Sequence, residues 1–229
     1  MNSNNIFEKS YKCNGIDILT WSDENPEVAI ISFSSMNPGK FERWSWFTQN
    51  KLSRPAAYIF LKDEAQHFYL GAGNAPASQH IAEEINSILH KHQLPPHKAI
   101  TVGSSMGGYG AIYYAVYCNL AACISINPQT NLDSAMLHKY GLWTRKMKEA
   151  SWQDLPSLIE ASSHPINTYF EIHYGLYPAD LDAAEKLIKS MTGKCPRLNT
   201  FSHDTVDHGW VGFDSSSLIK KLNQLSINF

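Results

Sequence analysis

Gly103-Ser104-Ser105-Met106-Gly107 follows the apolar run Ala99-Ile100-Thr101-Val102 and leads into a segment of helical character from Gly107 to Tyr117. A buried strand that turns into a helix within so few residues restricts the architecture. Parallel strands need crossover connections, and a helix is the usual crossover. The turn itself is sharp enough that the residues two positions either side of Ser105 must be small, and both are glycine.

The rest of the chain repeats that alternation. Two extended runs between Tyr11 and Trp21 flank Asn14-Gly15, a pair suited to a tight antiparallel hairpin. Apolar runs at Val28 to Phe33, Ala56 to Leu61, Ala121 to Ile126, Thr168 to Tyr174 and Arg197 to Phe201 predict further strands. Helical spacing marks Ser78 to His92, Ala179 to Met191 and Ser215 to Leu225. The pattern predicts an α/β protein with a mostly parallel sheet covered by helices on both faces. The interval 127–167 breaks the rhythm; with Trp143, Trp152 and helical spacing at Leu155, Leu158 and Ile159, it predicts a small helical cap. No linker or repeat divides the 229 residues, so a single domain is expected over 1–229.

Composition excludes several classes of function. Hydrophobic residues make up 43% and charged residues 17%, which suits a packed core. A formal charge of −2 offers no broad positive field for nucleic acid or anionic lipid. No apolar run reaches the length of a membrane-spanning helix, and the polar start Met1-Asn2-Ser3-Asn4-Asn5 is no signal peptide, so a cytoplasmic protein is expected. Cys13, Cys118, Cys123 and Cys195 form no Cys-x-x-Cys pair and read as free thiols. The histidines lack metal-ligand spacing, so neither a metal nor a cofactor is expected.

A glycine-rich strand-to-helix turn can also bind phosphate, but here no Lys-Ser or Lys-Thr follows, and the Gly-x-Gly-x-x-Gly order is not met. Against a turn whose glycines serve only tight packing, the strand-to-helix context favours a nucleophile elbow with Ser105 as nucleophile and Met106 N–H as the first oxyanion donor. Ser104 is disfavoured because its neighbours two positions away are Val102 and Met106. The acid and the histidine of such a centre come later in the chain. Asp180 and Asp182 follow the strand ending at Tyr174, and Asp180 is nearer that end. His208, in the loop beyond the last strand, is favoured over His203 as the base. The second oxyanion amide belongs to Ser34-Ser35-Met36, with Ser35 favoured and Met36 next. Met36, Trp143 and Trp152 are the pocket candidates.

These residues resemble the α/β-hydrolase superfamily over nearly the whole chain from Val28 onward. Phe33-Ser34-Ser35-Met36, Leu61-Lys62-Asp63, Phe68-Tyr69-Leu70-Gly71, the elbow with Gly108-Tyr109, and Asn127-Pro128-Gln129 are also similar to small hydrolase-like proteins of bacterial surface-glycan and accessory-secretion loci. Some of that group resemble the acetyltransferase-like component of the accessory Sec system. The resemblance implies an esterase acting through an acyl-enzyme on a small-molecule or glycan ester, or an O-acyltransferase using the same triad. It departs from the family at the acid, where Tyr177-Pro178-Ala179 precedes Asp180 and no histidine follows shortly after. A non-catalytic binding protein that keeps the fold is the alternative of another class.

Overall fold

The computed structural model describes residues 9–37, 39–139, 141–209 and 211–227. The polar start at residues 1–5, and Pro38 and Trp210 of two loops, lie outside the described residues. The chain begins with the hairpin β1 (Lys9–Cys13) and β2 (Ile16–Ser22), antiparallel about Asn14 and Gly15, both at positive φ. Then follow β3 (Val28–Phe33), α1 (Trp44–Gln49), β4 (Ala56–Lys62), the short pair β5 (Gly71–Ala72) and β6 (Ala75–Pro76), and α2 (Ser78–Lys91). β7 (Ala99–Ser104), α3 (Met106–Tyr117) and β8 (Ala122–Ile126) form the central βαβ unit. After α4 (Leu132–Ala135), α5 (Leu142–Glu149) and α6 (Leu155–Glu160), the chain ends with β9 (Tyr169–Tyr174), α7 (Pro178–Met191), β10 (Leu198–Ser202) and α8 (Ser215–Ile227).

Among the described residues one eight-stranded sheet has the order β1-β2-β4-β3-β7-β8-β9-β10. β2 pairs antiparallel with β4, and every pairing from β4 across to β10 is parallel. The side-chain period of two explains how helices cover both faces. Along β3, Ala29, Ile31 and Phe33 share a core with Ile81 and Ile85 of α2 and Ile112 of α3. Val28 and Ile30 point the other way, into a core with Phe47 of α1 and Leu218 and Leu222 of α8. All six residues of β3 are buried, as a strand covered on both sides requires. Each large apolar side chain so buried contributes about 1.5–3 kcal/mol.

The interval 127–167 carries three short helices, of which α4 and α6 pack on α7. Asn131 caps α4, its Oδ1 accepting from Ser134 N–H at 2.9 Å. The six-residue α1 and the β5–β6 pair were not legible, being too short to show a period. Cys13, Cys118, Cys123 and Cys195 are free thiols, and burial pushes the Cys118 and Cys123 thiols up to about 12. No helix among the described residues is long and apolar enough to cross a membrane.

Candidate active site

Ser105 stands alone between the last residue of β7 and the first of α3. Its φ of 55° and ψ of −122° lie in a region that side chains with a Cβ rarely enter, a strain that packing on both sides must hold. The two flanking glycines show how. A Cβ at Gly103 would meet Gly107 O at 2.0 Å, and one at Gly107 would meet Phe33 O at 2.2 Å. The elbow is therefore wedged against the end of β3, and the first amides of α3, Met106 among them, open where intrahelical acceptors run out.

Ser105, His208 and Asp180 come together from three parts of the chain. His208, in the loop after β10, has Nε2 3.0 Å from Ser105 Oγ. Its Nδ1 is 2.8 and 2.9 Å from the two carboxylate oxygens of Asp180, in the first turn of α7. Asp180 is almost wholly buried; burial pushes its carboxyl up, and the hydrogen bond from His208 pulls it partly back. Nδ1–H donates to Asp180, which leaves Nε2 as an acceptor for the serine hydroxyl proton. Asn127 supports the loop that carries His208. Its Nδ2 donates to Gly209 O at 2.6 Å and its Oδ1 accepts from Gly175 N–H at 2.8 Å.

The competing residues are engaged elsewhere. Asp182 accepts from Ser134 Oγ at 2.6 Å and pairs with Lys186 at 2.8 Å on the outside of α7. His203 Nε2 lies 2.9 Å from His173 Nδ1, and the chain continues from His173 Nε2 to Glu171 at 3.0 Å and from Glu171 to Lys221 at 2.6 Å. Among the described residues no group of three or more His, Cys, Asp or Glu side chains could hold a metal ion.

The loop after β3 departs from expectation at Ser35. Its N–H donates to Glu42 Oε2 at 3.0 Å and its hydroxyl donates to Glu42 Oε1, so this amide is already satisfied by a carboxylate. The residue favoured as second oxyanion donor is thus occupied, because Glu42 folds back over the loop. Arg43 fixes Glu42 there, with Nη1 3.2 Å from Glu42 Oε2, Nε donating to Ser32 Oγ at 2.9 Å and Nη2 donating to Phe33 O. The guanidinium is buried, which lowers its pKa. Tyr69 OH donates to Ser34 O, and Gln66 Nε2 to Met36 O at 3.2 Å, so the loop is held from both sides.

A cavity of about 580 Å³ opens over Ser105, walled by Met36, Lys40, Trp46, Trp143 and His208. Trp143 stacks on His138 with centroids 3.8 Å apart and meets His208 edge-on at 4.5 Å. Trp152 is not on the wall. Its ring packs on Phe68 and Tyr109, and its Nε1 donates to Asp154 at 2.7 Å, away from the cavity lining.

One residue beside Ser105 lies outside the set expected from the sequence. Gln129 Nε2 lies 3.0 Å from Ser105 Oγ, and the Gln129 side chain is buried. A signal existed: Gln129 stands just beyond β8, next to the elbow strand. Polar residues at the carboxyl ends of central parallel strands face the crevice where ligands bind.

Residues 60–163 match an uncharacterised protein family (UPF0227). No curated protein sequence matches the chain. Among solved structures, the Glycosylation Associate Protein (Gap123) complex of Streptococcus agalactiae superposes with a TM-score of 0.65 at 21% identity over 96% of this chain. The chain spans 45% of the length of that protein. The capsule O-acetyltransferase of Neisseria meningitidis serogroup A gives 0.67 at 18% identity, over 99% of this chain and 97% of that one. The esterase Pf2001 of Pyrococcus furiosus gives 0.64 at 9% identity, over 99% and 93%. The chain has the α/β-hydrolase fold.

Proposed function

We propose that the chain is a serine acyl hydrolase of the esterase type. The observation that carries this is the continuous hydrogen-bonded line from Asp180 through His208 to Ser105 Oγ at the mouth of the cavity. Ser105 Oγ attacks an ester carbonyl while its proton passes to His208 Nε2. The tetrahedral intermediate collapses, the carbon–oxygen bond to the alcohol breaks, and the proton on Nε2 goes to the departing oxygen. Water then repeats the sequence on the acyl-enzyme, with His208 as base, and frees Ser105. Asp180 holds the imidazole in the tautomer that this needs and stabilises the imidazolium. Met106 N–H is one oxyanion donor. With Ser35 committed to Glu42, the amide of Met36, next in the same loop, is the other.

The cavity favours a bulky alcohol or acyl partner. Trp46 and Trp143 supply apolar faces, and Lys40 and Glu42 supply polar groups at the rim, a combination suited to an acylated sugar. The segment 127–167, as the cap, contributes the Trp143 wall. A second reading keeps the acyl-enzyme and passes the acyl group to a sugar hydroxyl. Its support is the end-to-end likeness to a capsule O-acetyltransferase. Acyl p-nitrophenyl esters of increasing chain length, each with and without glycan acceptors, test both. Hydrolysis unaffected by acceptors is the expected result; acyl transfer outpacing acid release would favour the second reading, and no turnover with any ester would count against both.

A further inference from the structure

Gln129 stands directly beside Ser105. It is 3% exposed, its Nε2 touches Ser105 Oγ at 3.0 Å, and its Oε1 is buried without a hydrogen-bond partner. A buried amide oxygen left unpaired costs folding free energy, and a residue kept only for packing has no reason to carry that cost. Leucine or methionine would fill the same space without it. The backbone around the side chain is pinned: Gln129 N–H reaches Ser105 O at 3.4 Å, and Thr130 Oγ1 donates to Ala183 O at 3.0 Å.

The proton arrangement fixes which way the carboxamide faces. His208 Nδ1–H is given to Asp180, so Nε2 must accept, and the hydroxyl proton of Ser105 points to it. Ser105 Oγ then has only lone pairs to offer on its other side. Gln129 must present its N–H there, and the oxygen of the same amide is the end left unpaired.

Resting on the assignment of Ser105 as nucleophile, we infer that Gln129 is a further catalytic residue, beyond Ser105, His208 and Asp180, acting on the serine oxygen itself. Its N–H donates to Oγ, aligns the hydroxyl proton with His208, and stabilises the charge that gathers on Oγ as the proton leaves. As Oγ bonds to the acyl carbon, one lone pair becomes the new bond, the proton moves to His208 Nε2, and the remaining lone pair keeps the contact with Gln129. In deacylation the bond from Oγ to the acyl carbon breaks, Oγ takes the proton back from His208, and the same N–H stabilises it as the leaving group. An oxyanion hole acts on the substrate oxygen; Gln129 acts on the nucleophile.

The test is the rate of covalent labelling by a neutral fluorophosphonate on the full chain, for wild type, Gln129→Leu and Gln129→Met. Rates are expressed per folded molecule and paired with melting temperatures. The expected result is labelling slowed at least about tenfold in both variants, the range for a lost hydrogen bond to a charged or charging group. Melting temperatures should be equal to or above wild type, since the orphaned oxygen is gone. Wild-type labelling per folded molecule in either variant, with or without a fall in melting temperature, assigns Gln129 to the scaffold and overturns the inference. A wild-type protein that takes no label at all removes Ser105 as nucleophile instead, and Gln129 with it.

Discussion

Asp180 Oδ1 lies 2.8 Å from His208 Nδ1, a contact between side chains 28 positions apart in sequence, one at the start of α7 and the other in the loop that follows β10. Burial raises the Asp180 carboxyl, so its ionised form is less favoured in the folded chain than in the unfolded one. A group shifted in this direction aids folding below its unfolded pKa and gives that aid up as pH rises through its folded value. Asp180→Asn is therefore expected to melt at or above the wild-type temperature at pH 7. It should nonetheless lose about a thousandfold or more in kcat, because the amide favours the wrong imidazole tautomer. Asp182→Asn breaks only the contacts to Ser134 and Lys186 and should leave kcat within about threefold, the scale of a surface change. Esterase kinetics with matched thermal melts check the pair; the opposite ordering would move the acid to Asp182.

The two tryptophans of the segment 127–167 should separate cleanly. Trp143→Leu removes part of the cavity wall and is expected to change the preference between short and long acyl esters by about tenfold, the value of a methylene or so of pocket. Trp152→Ala removes a ring packed on Phe68 and Tyr109 and should lower stability by about 3 kcal/mol while leaving that preference alone. Selectivity ratios and denaturant midpoints decide it; an altered selectivity in Trp152→Ala would bring that residue back to the pocket.

Acid sensitivity should have two components. His203 is held below its ordinary value, by burial and then by His173. Burial alone would raise Glu171, but the hydrogen bonds from His173, Lys221 and Tyr169 outweigh it and bring the carboxyl down. In both cases the unfolded chain binds the proton more readily, so their contributions are complete above the unfolded pKa and are lost as pH falls through the folded one. Stability should begin to fall below about pH 6.5 through His203, and again below about pH 4.3 through Glu171. His203→Gln should flatten the upper step and Glu171→Gln the lower, measured as denaturant midpoint against pH. Glu171→Gln should also cost on the order of 2 kcal/mol at neutral pH through the loss of Lys221 as a charged partner. Unchanged profiles in both variants would leave the chain from His203 to Lys221 without a role in acid stability.

The parts legible in the sequence were those written in local pattern. Runs of apolar residues named the parallel strands because both faces of the sheet are covered, and the glycines around Ser105 named the elbow because no Cβ fits there. Chain order alone then directed attention to Asp180 and His208. The illegible parts depend on contacts between distant side chains. No local pattern marks Glu42 and Arg43, yet one is folded onto the Ser35 amide and the other is buried against Ser32 and Phe33. Place in the loop favours Ser35, but place carries no information about what caps its N–H. Trp152 shares a segment with Trp143, and residue type does not tell which ring turns toward the cavity. Gln129 appeared within Asn127-Pro128-Gln129, but its approach to Ser105 exists only once β7 and β8 are side by side.

The central proposal is that Ser105 is a nucleophile activated by His208, and site mapping of a fluorophosphonate adduct tests it most directly. The full chain is labelled, digested and sequenced by mass spectrometry, alongside Ser105→Ala and His208→Ala. The expected result is one phosphonyl group on Ser105, none on the Ser105→Ala variant, and labelling slowed by about a thousandfold or more in His208→Ala. A folded wild-type protein that takes up no label, or an adduct on Ser104 or any other residue, would contradict it.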